Sequence, residues 1–198
     1  MSGSLFDKGG VRKYLTARER FRLARAAFSQ GGEIATFCLA LVFTGARISE
    51  LLALTRERVD IANCAIVLET LKRRKRGVYR VMPVPPKLIA MLQRVHNLID
   101  IDRDPKERMW RWGRTTAWKR VKAVMKKANI PEQLATPKSA RHAFGVDAVQ
   151  NSVALNVVQR WMGHARIEST AIYTDAIGAE ERALAKRTWK TLDASFDR

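Results

Sequence analysis

The chain of 198 residues carries 37 lysines and arginines against 19 aspartates and glutamates, which gives a formal net charge of +18. The length predicts one compact domain with a sizeable core. A hydrophobic fraction of 46%, without an apolar run of roughly 20 residues, excludes both a disordered chain and a membrane-spanning one. So basic a domain favours a polyanionic partner, above all nucleic acid, because binding to phosphates releases their counterions.

Most of the chain has the residue spacing of helices. Residues 1–13, rich in glycine and serine, are expected to form a mobile leader before a folded domain over residues 14–198. Eight helical segments are predicted, in the order Thr16 to Ser29, Glu33 to Thr44, Ile48 to Leu54, Lys87 to Ile99, Thr116 to Ala128, Ser139 to Val149, Asn156 to Met162 and Ala179 to Leu192. Thr16 and Glu19 form a capping-box pattern at the start of the first helical segment. Gly45 is a C-terminal cap for the second segment.

One stretch of the chain has the pattern of strands instead. Ala65 to Leu68 and Val78 to Val84 are rich in β-branched residues and flank the basic run KRRKRG at residues 72–77. A proline-rich segment at residues 83–86 closes the second strand. The pattern predicts a β-hairpin with a basic tip. The fold class is therefore α+β, mainly α-helical with a small antiparallel sheet or hairpin.

Some residues that are common in functional sites are expected to be structural here. Cys38 and Cys64 lie within apolar segments, which favours small buried side chains over a disulfide or a metal pair. Trp110, Trp112 and Trp118 are interleaved with basic residues. For these tryptophans we expect core packing rather than contact with DNA.

Five polar residues stand near apolar segments, where side chains are expected to lie partly in the interior. Arg47 occupies a glycine turn between two apolar helices, Arg141 and His142 begin a helix, His164 ends another, and Tyr173 lies nine residues after His164. Each residue alone has an ordinary explanation, such as an ion pair, a solvated helix start, a helix cap or half-buried packing. Taken together, they favour a different interpretation.

This set resembles the catalytic domain of the tyrosine recombinases, or phage integrase family, over nearly the whole chain from about Tyr14. The matching segments are residues 44–51 (TGARISEL), residues 136–142 (TPKSARH) and residues 162–174, which begin with MGH and end with TAIYT. The resemblance implies that fold. It also implies a site-specific DNA recombinase that cleaves and rejoins strands through a covalent 3′-phosphotyrosine, with no metal, nucleotide or other cofactor. The outcome would be integration, excision, inversion or resolution of a mobile element.

The resemblance also assigns roles to individual residues of these segments. Arg47 and Arg141 would grip the non-bridging oxygens of the scissile phosphate, because guanidinium groups stay charged and bind oxyanions bidentately. Tyr173 would be the nucleophile, and neighbouring cations are expected to help its phenol to deprotonate. His164 would hydrogen-bond the phosphate or assist proton transfer, and Glu50 would orient Arg47.

A lysine on the hairpin turn would protonate the leaving 5′-oxygen. Lys72 and Lys75 are both candidates, and we favour Lys72 because it comes first in the turn. Lys138 departs from the histidine that more often begins the second segment, and it is expected to contact phosphate. His142 is expected to pack or to hydrogen-bond. Further DNA contacts are expected from basic residues of the tip and of the following helical region: Arg73, Arg74, Lys75, Arg76, Arg114, Lys119 and Arg120.

The chain is expected to be a catalytic domain without the separate N-terminal core-binding domain of typical members. Double-stranded DNA is the expected partner, bound by a homo-oligomer that is a tetramer in the synaptic complex, with an accessory DNA-binding protein as a further candidate and no membrane. The resemblance implies a cytoplasmic, nucleoid-associated protein of bacterial, phage or plasmid origin. Two rival functions stay open, a type IB topoisomerase-like activity and a non-cleaving DNA-binding regulator on the same scaffold.

Overall fold

The structure is a computed structural model that describes residues 4–71 and 77–175. Its α-helices, in chain order, are α1 Ala17–Gln30, α2 Gly32–Thr44, α3 Ile48–Leu52, α4 Pro86–His96, α5 Arg114–Lys127, α6 Pro137–Gln150, α7 Leu155–Met162 and α8 Glu168–Ala171. Short 3₁₀ turns cover Arg56–Arg58, Glu132–Leu134 and Ile172–Asp175. The mainly helical prediction is confirmed. The predicted helix Ala179 to Leu192 lies outside the described residues.

A three-stranded antiparallel sheet contains the predicted hairpin. Its strands are β1 Val59–Asp60, β2 Ala65–Glu69 and β3 Tyr79–Pro83, in the order β1-β2-β3. The two-residue strand β1 was not predicted, since so short a segment has no readable alternation. The basic tip at residues 72–76 lies outside the described residues. None of the helices in the two described ranges is long and apolar enough to cross a membrane.

The core is built around α2, whose residues are almost all buried and which packs against α1, α4 and α6. Phe37 of α2 meets the fully buried Trp110 edge to face, with ring centroids 5.0 Å apart. Core packing is thus confirmed for Trp110, whereas Trp112 is only partly buried. The prediction of core packing is wrong for Trp118, which is 39% exposed on α5.

The cysteines are both free thiols, as expected. Cys38 is buried in α2, and its thiol pKa is raised to about 12 by burial. Cys64 is only partly buried, at the turn between β1 and β2, where its backbone takes a φ of +49°. The buried environment expected for both cysteines therefore holds fully for Cys38 alone.

Residues 4–13 differ from the expected mobile leader. Leu5 is fully buried in the core, and Phe6 pairs with Arg12 in an isolated β-bridge. Arg12 donates two hydrogen bonds to the Glu19 carboxylate, at 2.8 and 2.7 Å, beside the predicted capping box of α1. Apolar burial and a charge-assisted pair therefore fasten this segment to the domain.

The end of α2 is shaped by a close approach that only glycine permits. Gly45 caps the helix with a φ of +58°, in the left-handed region. A Cβ atom at this position would lie 2.6 Å from the Phe144 ring of α6. The chain can therefore turn sharply and bring Arg47 next to α6.

We predict that Gly45→Ala lowers the free energy of unfolding by about 2–5 kcal/mol. The left-handed backbone costs about 1–2 kcal/mol, and overpacking against Phe144 adds about 1–3 kcal/mol. Gly32→Ala is the matched control, because its φ is +52° but no atom of the described residues lies within 4 Å of the added Cβ. Urea unfolding of both variants measures the difference, and equal losses would contradict the contact with Phe144.

Candidate active site

The three sequence segments of the predicted site meet at one open cleft of about 590 Å³. The start of α3 forms one wall of the cleft and the start of α6 forms a second. The third wall is formed by the segment after α7, from His164 to Tyr173. The predicted residues that line this cleft are Arg47, Lys138, Arg141, His142, His164 and Tyr173. The structure thus brings together residues that are up to 126 positions apart in the sequence, from Arg47 to Tyr173.

Arg47 is held at the cleft by a buried carboxylate. It is the N-cap residue of α3, where its backbone N–H donates to Glu50 Oε2 at 2.9 Å and its Nη1 donates to Glu50 Oε1 at 2.8 Å. The Glu50 side chain is fully buried, whereas that of Arg47 is 29% exposed. One residue pair therefore caps the helix and points a cation into the cleft.

Arg141 is a buried cation that binds the ends of two helices. Its Nη1 donates to the carbonyl of Gly45, the cap of α2, at 2.7 Å, and its Nη2 donates to the carbonyl of Met162, the last residue of α7, at 2.5 Å. Burial and the nearby Arg47 lower the pKa of Arg141 to about 10, so it stays charged at neutral pH. Helix C-termini carry partial negative charge, which stabilises this cation.

The hydrogen bonds of His164 settle which ring nitrogen carries the proton. Arg141 Nη2 lies 3.1 Å from His164 Nε2, and a guanidinium can only donate, so Nε2 accepts. The proton then resides on Nδ1, which donates to Thr170 Oγ1 at 2.9 Å. Burial, followed by the charges of Arg141 and Arg47, lowers the pKa of His164 to about 3. The imidazole is neutral at physiological pH.

Tyr173 packs almost completely inside the domain, with 1% of its surface exposed. Its ring stacks on His164, with centroids 6.1 Å apart and an interplanar angle of 17°. Burial raises the pKa of Tyr173 to about 12, although Arg141 and Arg47 act in the opposite direction. The cations therefore favour deprotonation, as expected, but desolvation of the phenolate outweighs their effect on the pKa.

The other predicted residues lie at varied positions. Lys138 is exposed at the cleft rim, and His142 is buried behind it, with no hydrogen-bond partner for Nδ1 among the described residues. Burial, with a smaller effect of Lys138, lowers the pKa of His142 to about 4. Arg114 lines the cleft, Lys119 is exposed on α5 and Arg120 stacks on Trp112 at 4.0 Å. The basic tip residues Lys72, Arg73, Arg74, Lys75 and Arg76 lie outside the described residues.

Two buried residues of the site were not singled out from the sequence. Thr170 is fully buried, and its Oγ1 accepts the hydrogen bond from His164 Nδ1. Arg80 is also buried, and its Nη2 donates to Glu50 Oε2 at 2.6 Å. The alternation of β3 carries a signal for Arg80, because it shares the inward face with Met82. The described part of the chain contains no group of three His, Cys, Asp or Glu residues that could hold a metal ion.

The sequence and the fold are similar to those of known proteins. The model of the phage integrase family matches residues 13–179. The tyrosine recombinase XerD of Shewanella oneidensis is 30% identical over 153 residues, which are 73% of this chain and 49% of that protein. The chain spans about half the length of the curated relatives it matches.

Solved structures share the fold. The crystal structure of XerA recombinase superposes with a TM-score of 0.71 and 25% identity, covering 88% of this chain and 64% of that one. The XerH site-specific recombinase bound to its difH substrate, in a pre-cleavage complex, gives a TM-score of 0.70 at 17% identity, covering 93% and 59%. The second likeness concerns the fold alone.

We predict that Gly145→Ala is destabilising only while Tyr173 is present. In the middle of a helix, alanine normally stabilises the fold by about 1 kcal/mol relative to glycine. At position 145, however, the added Cβ would lie 2.5 Å from the Tyr173 ring. A double-mutant cycle by urea unfolding should therefore give opposite signs in the wild-type and Tyr173→Ala backgrounds. The same sign in both would contradict the packing of Tyr173 on α6.

Stability is predicted to fall as the pH drops from about 6.5 to 4. The chain has three histidines, and burial lowers their pKa values to about 4 for His96, 4 for His142 and 3 for His164. Below pH 6.5 the unfolded chain binds protons that the folded chain does not, and each histidine costs up to about 2 kcal/mol at pH 5.

Urea unfolding at pH 7 and pH 5 measures this loss. Glu19 and Glu50, whose pKa values are lowered, affect stability only at more acidic pH, so they do not obscure it. Equal unfolding free energies at pH 7 and pH 5 would show that the histidines are not held neutral.

Proposed function

The chain belongs to the phage integrase family of tyrosine recombinases, and from this membership we propose that it cleaves and rejoins DNA at specific sites through a covalent 3′-phosphotyrosine formed by Tyr173. The observation that carries the proposal is the convergence of Arg47, Arg141, His164 and Tyr173 on one cleft. A tyrosine beside two phosphate-binding cations has the groups that phosphoryl transfer requires.

The two arginines supply the charge stabilisation. Attack on a phosphodiester produces a pentavalent phosphate with additional negative charge on its non-bridging oxygens. Arg141 is already oriented by the ends of two helices, and Arg47 by Glu50, so both guanidinium groups are held at the cleft before that charge develops. Lys138, which is exposed at the rim, would add a further contact with phosphate.

Proton transfer from Tyr173 is the demanding part of the reaction. Its pKa of about 12 keeps the phenol protonated, so an acceptor has to take the proton during attack. His164 is neutral, its proton is on Nδ1, and its Nε2 accepts from Arg141 Nη2. Once the phosphate takes that Arg141 donor, Nε2 is free to accept the phenol proton. An anionic phosphate between Arg47 and Arg141 offsets their charges and makes His164 more basic.

Tyr173 must also become more exposed before it can attack. Its ring lies against Gly145 and His164, in the turn Ile172–Asp175 that follows α8. A shift of this turn toward the cleft would bring the hydroxyl to the phosphate. Because the tyrosine is buried in the form described here, we propose that DNA binding accompanies this movement.

Cleavage then exchanges one phosphoester for another. The Tyr173 oxygen forms a bond to phosphorus, the bond to the 5′-oxygen breaks, and that oxygen takes a proton from Lys72 or Lys75 to leave as a 5′-hydroxyl. The tyrosine ester conserves the bond, so the reverse attack by a 5′-hydroxyl rejoins a strand without ATP. Each copy cleaves one strand, and exchange between two duplexes involves four strands, which supports a tetramer as the working assembly.

A second cleft supports a path for the duplex beside the site. It has a volume of about 720 Å³ and shares Ser49 and Arg114 with the first. Arg58, Lys106 and Arg108 also line it, so cations continue away from the proposed scissile phosphate. Cations in such a groove neutralise backbone phosphates and hold the duplex without reading its bases.

We predict that the protein forms a covalent adduct with a nicked duplex of its own site. That site can be selected by binding from fragmented genomic DNA of the source. The nick lets the short strand end diffuse away, so the adduct accumulates on a denaturing gel. Tyr173→Phe should form none, and Arg141→Lys should form it at least about 100-fold more slowly, because one donor to the developing oxyanion is lost.

The outcomes of this assay separate the proposal from its rivals. An adduct together with exchange between two sites supports the recombinase. Relaxation of supercoils without exchange would indicate a topoisomerase-like activity. Site-specific binding without an adduct in the wild type would indicate a non-cleaving regulator and would contradict the proposal.

The leaving-group lysine can be identified with a sulfur substitution. We expect Lys72→Ala to slow cleavage of the normal duplex by about 100-fold or more, because the 5′-oxygen then leaves without a proton. A 5′-bridging phosphorothiolate should restore the rate, since a thiolate leaves readily without protonation. Lys75→Ala is the matched variant, and rescue of that variant instead would assign the role to Lys75.

A further inference from the structure

Arg80 is a buried cation whose guanidinium donates from all three nitrogens to three different segments. Nη2 donates to Glu50 Oε2 at 2.6 Å, Nη1 to Thr70 Oγ1 at 3.0 Å, and Nε to the Trp161 carbonyl at 2.8 Å. Arg80 is 5% exposed and Glu50 is 1% exposed. A planar guanidinium makes such bonds in three fixed directions, whereas the ammonium of lysine presents one point charge.

Each of these contacts ends next to a part of the proposed site. Glu50 is the carboxylate that orients the cleft-facing arginine of α3. Thr70 directly follows β2 and stands two positions before the basic segment 72–76 in the sequence. Trp161 lies three residues before His164. One side chain on β3 therefore joins the segments that carry the phosphate-binding and proton-transfer residues, and it also binds the residue after β2.

The contact with Arg80 also governs the charge of Glu50. Burial raises the pKa of this carboxyl group, but Arg80, followed by Arg47, holds the pKa below its ordinary value. The charged groups that act on Glu50 are Arg47 at the start of α3, Arg80 on β3 and Arg141 on α6. Without Arg80, burial would outweigh the remaining cations more easily, and Glu50 would take up a proton at a higher pH.

We infer that Arg80 is a positioning residue that keeps Glu50 ionised and in place, so that Glu50 aims Arg47 at the scissile phosphate. The catalytic part of this inference rests on the proposed function. The link between Arg80 and Glu50 is a property of the protein alone and can be measured without DNA. Arg80 acts through Glu50 and is not itself a ligand of the phosphate.

The link is tested by the pKa of the Glu50 carboxyl group, followed by ¹³C NMR of glutamate-labelled protein and assigned with Glu50→Gln. In Arg80→Met the pKa should rise by about three units, because burial then outweighs the remaining cations. In Arg80→Lys the Glu50 pKa should lie between the wild-type value and that of Arg80→Met, because lysine keeps the positive charge but not the guanidinium geometry. The matched control is Arg56→Met, which also removes a buried guanidinium, but one that binds the carbonyls of His96 and Asn97 rather than a carboxylate. It should leave the Glu50 pKa unchanged.

The consequence for cleavage is tested with the nicked duplex of the selected site, as single-turnover adduct formation between pH 6 and pH 8. Arg80→Met should be slower than wild type on the order of tenfold at pH 6, and less so at pH 8, where Glu50 regains its charge. In the double variant Arg80→Met/Glu50→Gln this additional pH dependence should disappear, because no carboxyl group remains to titrate. Arg56→Met should keep the wild-type pH profile.

The outcomes distinguish the two levels of the inference. If the Glu50 pKa shifts equally in Arg80→Met and Arg56→Met, or in neither, the positioning role is wrong whatever the enzyme does. If it shifts only in Arg80→Met but the adduct forms with an unchanged rate and pH profile, Arg80 has no role in cleavage. If wild type forms no adduct at all, the proposed function fails, and with it the catalytic part of the role, while the NMR result still decides the link to Glu50.

Discussion

The buried guanidinium of Arg141 is the interaction on which the rest of the site depends. Removing a cation from water is costly unless its donors are satisfied, and here the carbonyls of Gly45 and Met162 satisfy them at the C-terminal ends of α2 and α7. A third contact reaches His164. Because these groups come from two distant parts of the sequence, around residue 45 and at residues 162–164, the bonds of Arg141 hold the walls of the site together.

The balance of charge around this cation determines what the site can do. Arg47, Arg80 and Arg141 surround a single buried carboxylate, that of Glu50, so the cluster keeps an excess of positive charge next to the cleft. The same excess keeps His164 neutral. Such an arrangement is suited to receiving an anion, and the proton acceptor becomes stronger only once that anion is present.

The chemistry of the site was easier to predict from the sequence than its electrostatics. The turn glycine at position 45, the capping pair of α1 and the segments around Arg47, Arg141 and Tyr173 are local patterns, and local patterns can be read from residue order. The raised pKa of Tyr173 arises from burial against Gly145 and His164, which only the packed structure contains. Trp118 was misjudged because a tryptophan at helical spacing does not reveal which face of α5 it lies on. Arg80 was passed over although it alternates in phase with Met82 on β3, because a charged residue in a basic region is expected to be exposed.

The central claim is that one phosphate of the DNA lies between Arg47 and Arg141, within reach of the residue at position 173. A crystal structure of the Tyr173→Phe variant bound to an intact duplex of its selected site tests this most directly, since that variant can bind but cannot form the ester. We expect one backbone phosphate within hydrogen-bond distance of both guanidinium groups, with the ring at position 173 facing it. A duplex bound across another face, with no phosphate between these arginines, would contradict the account.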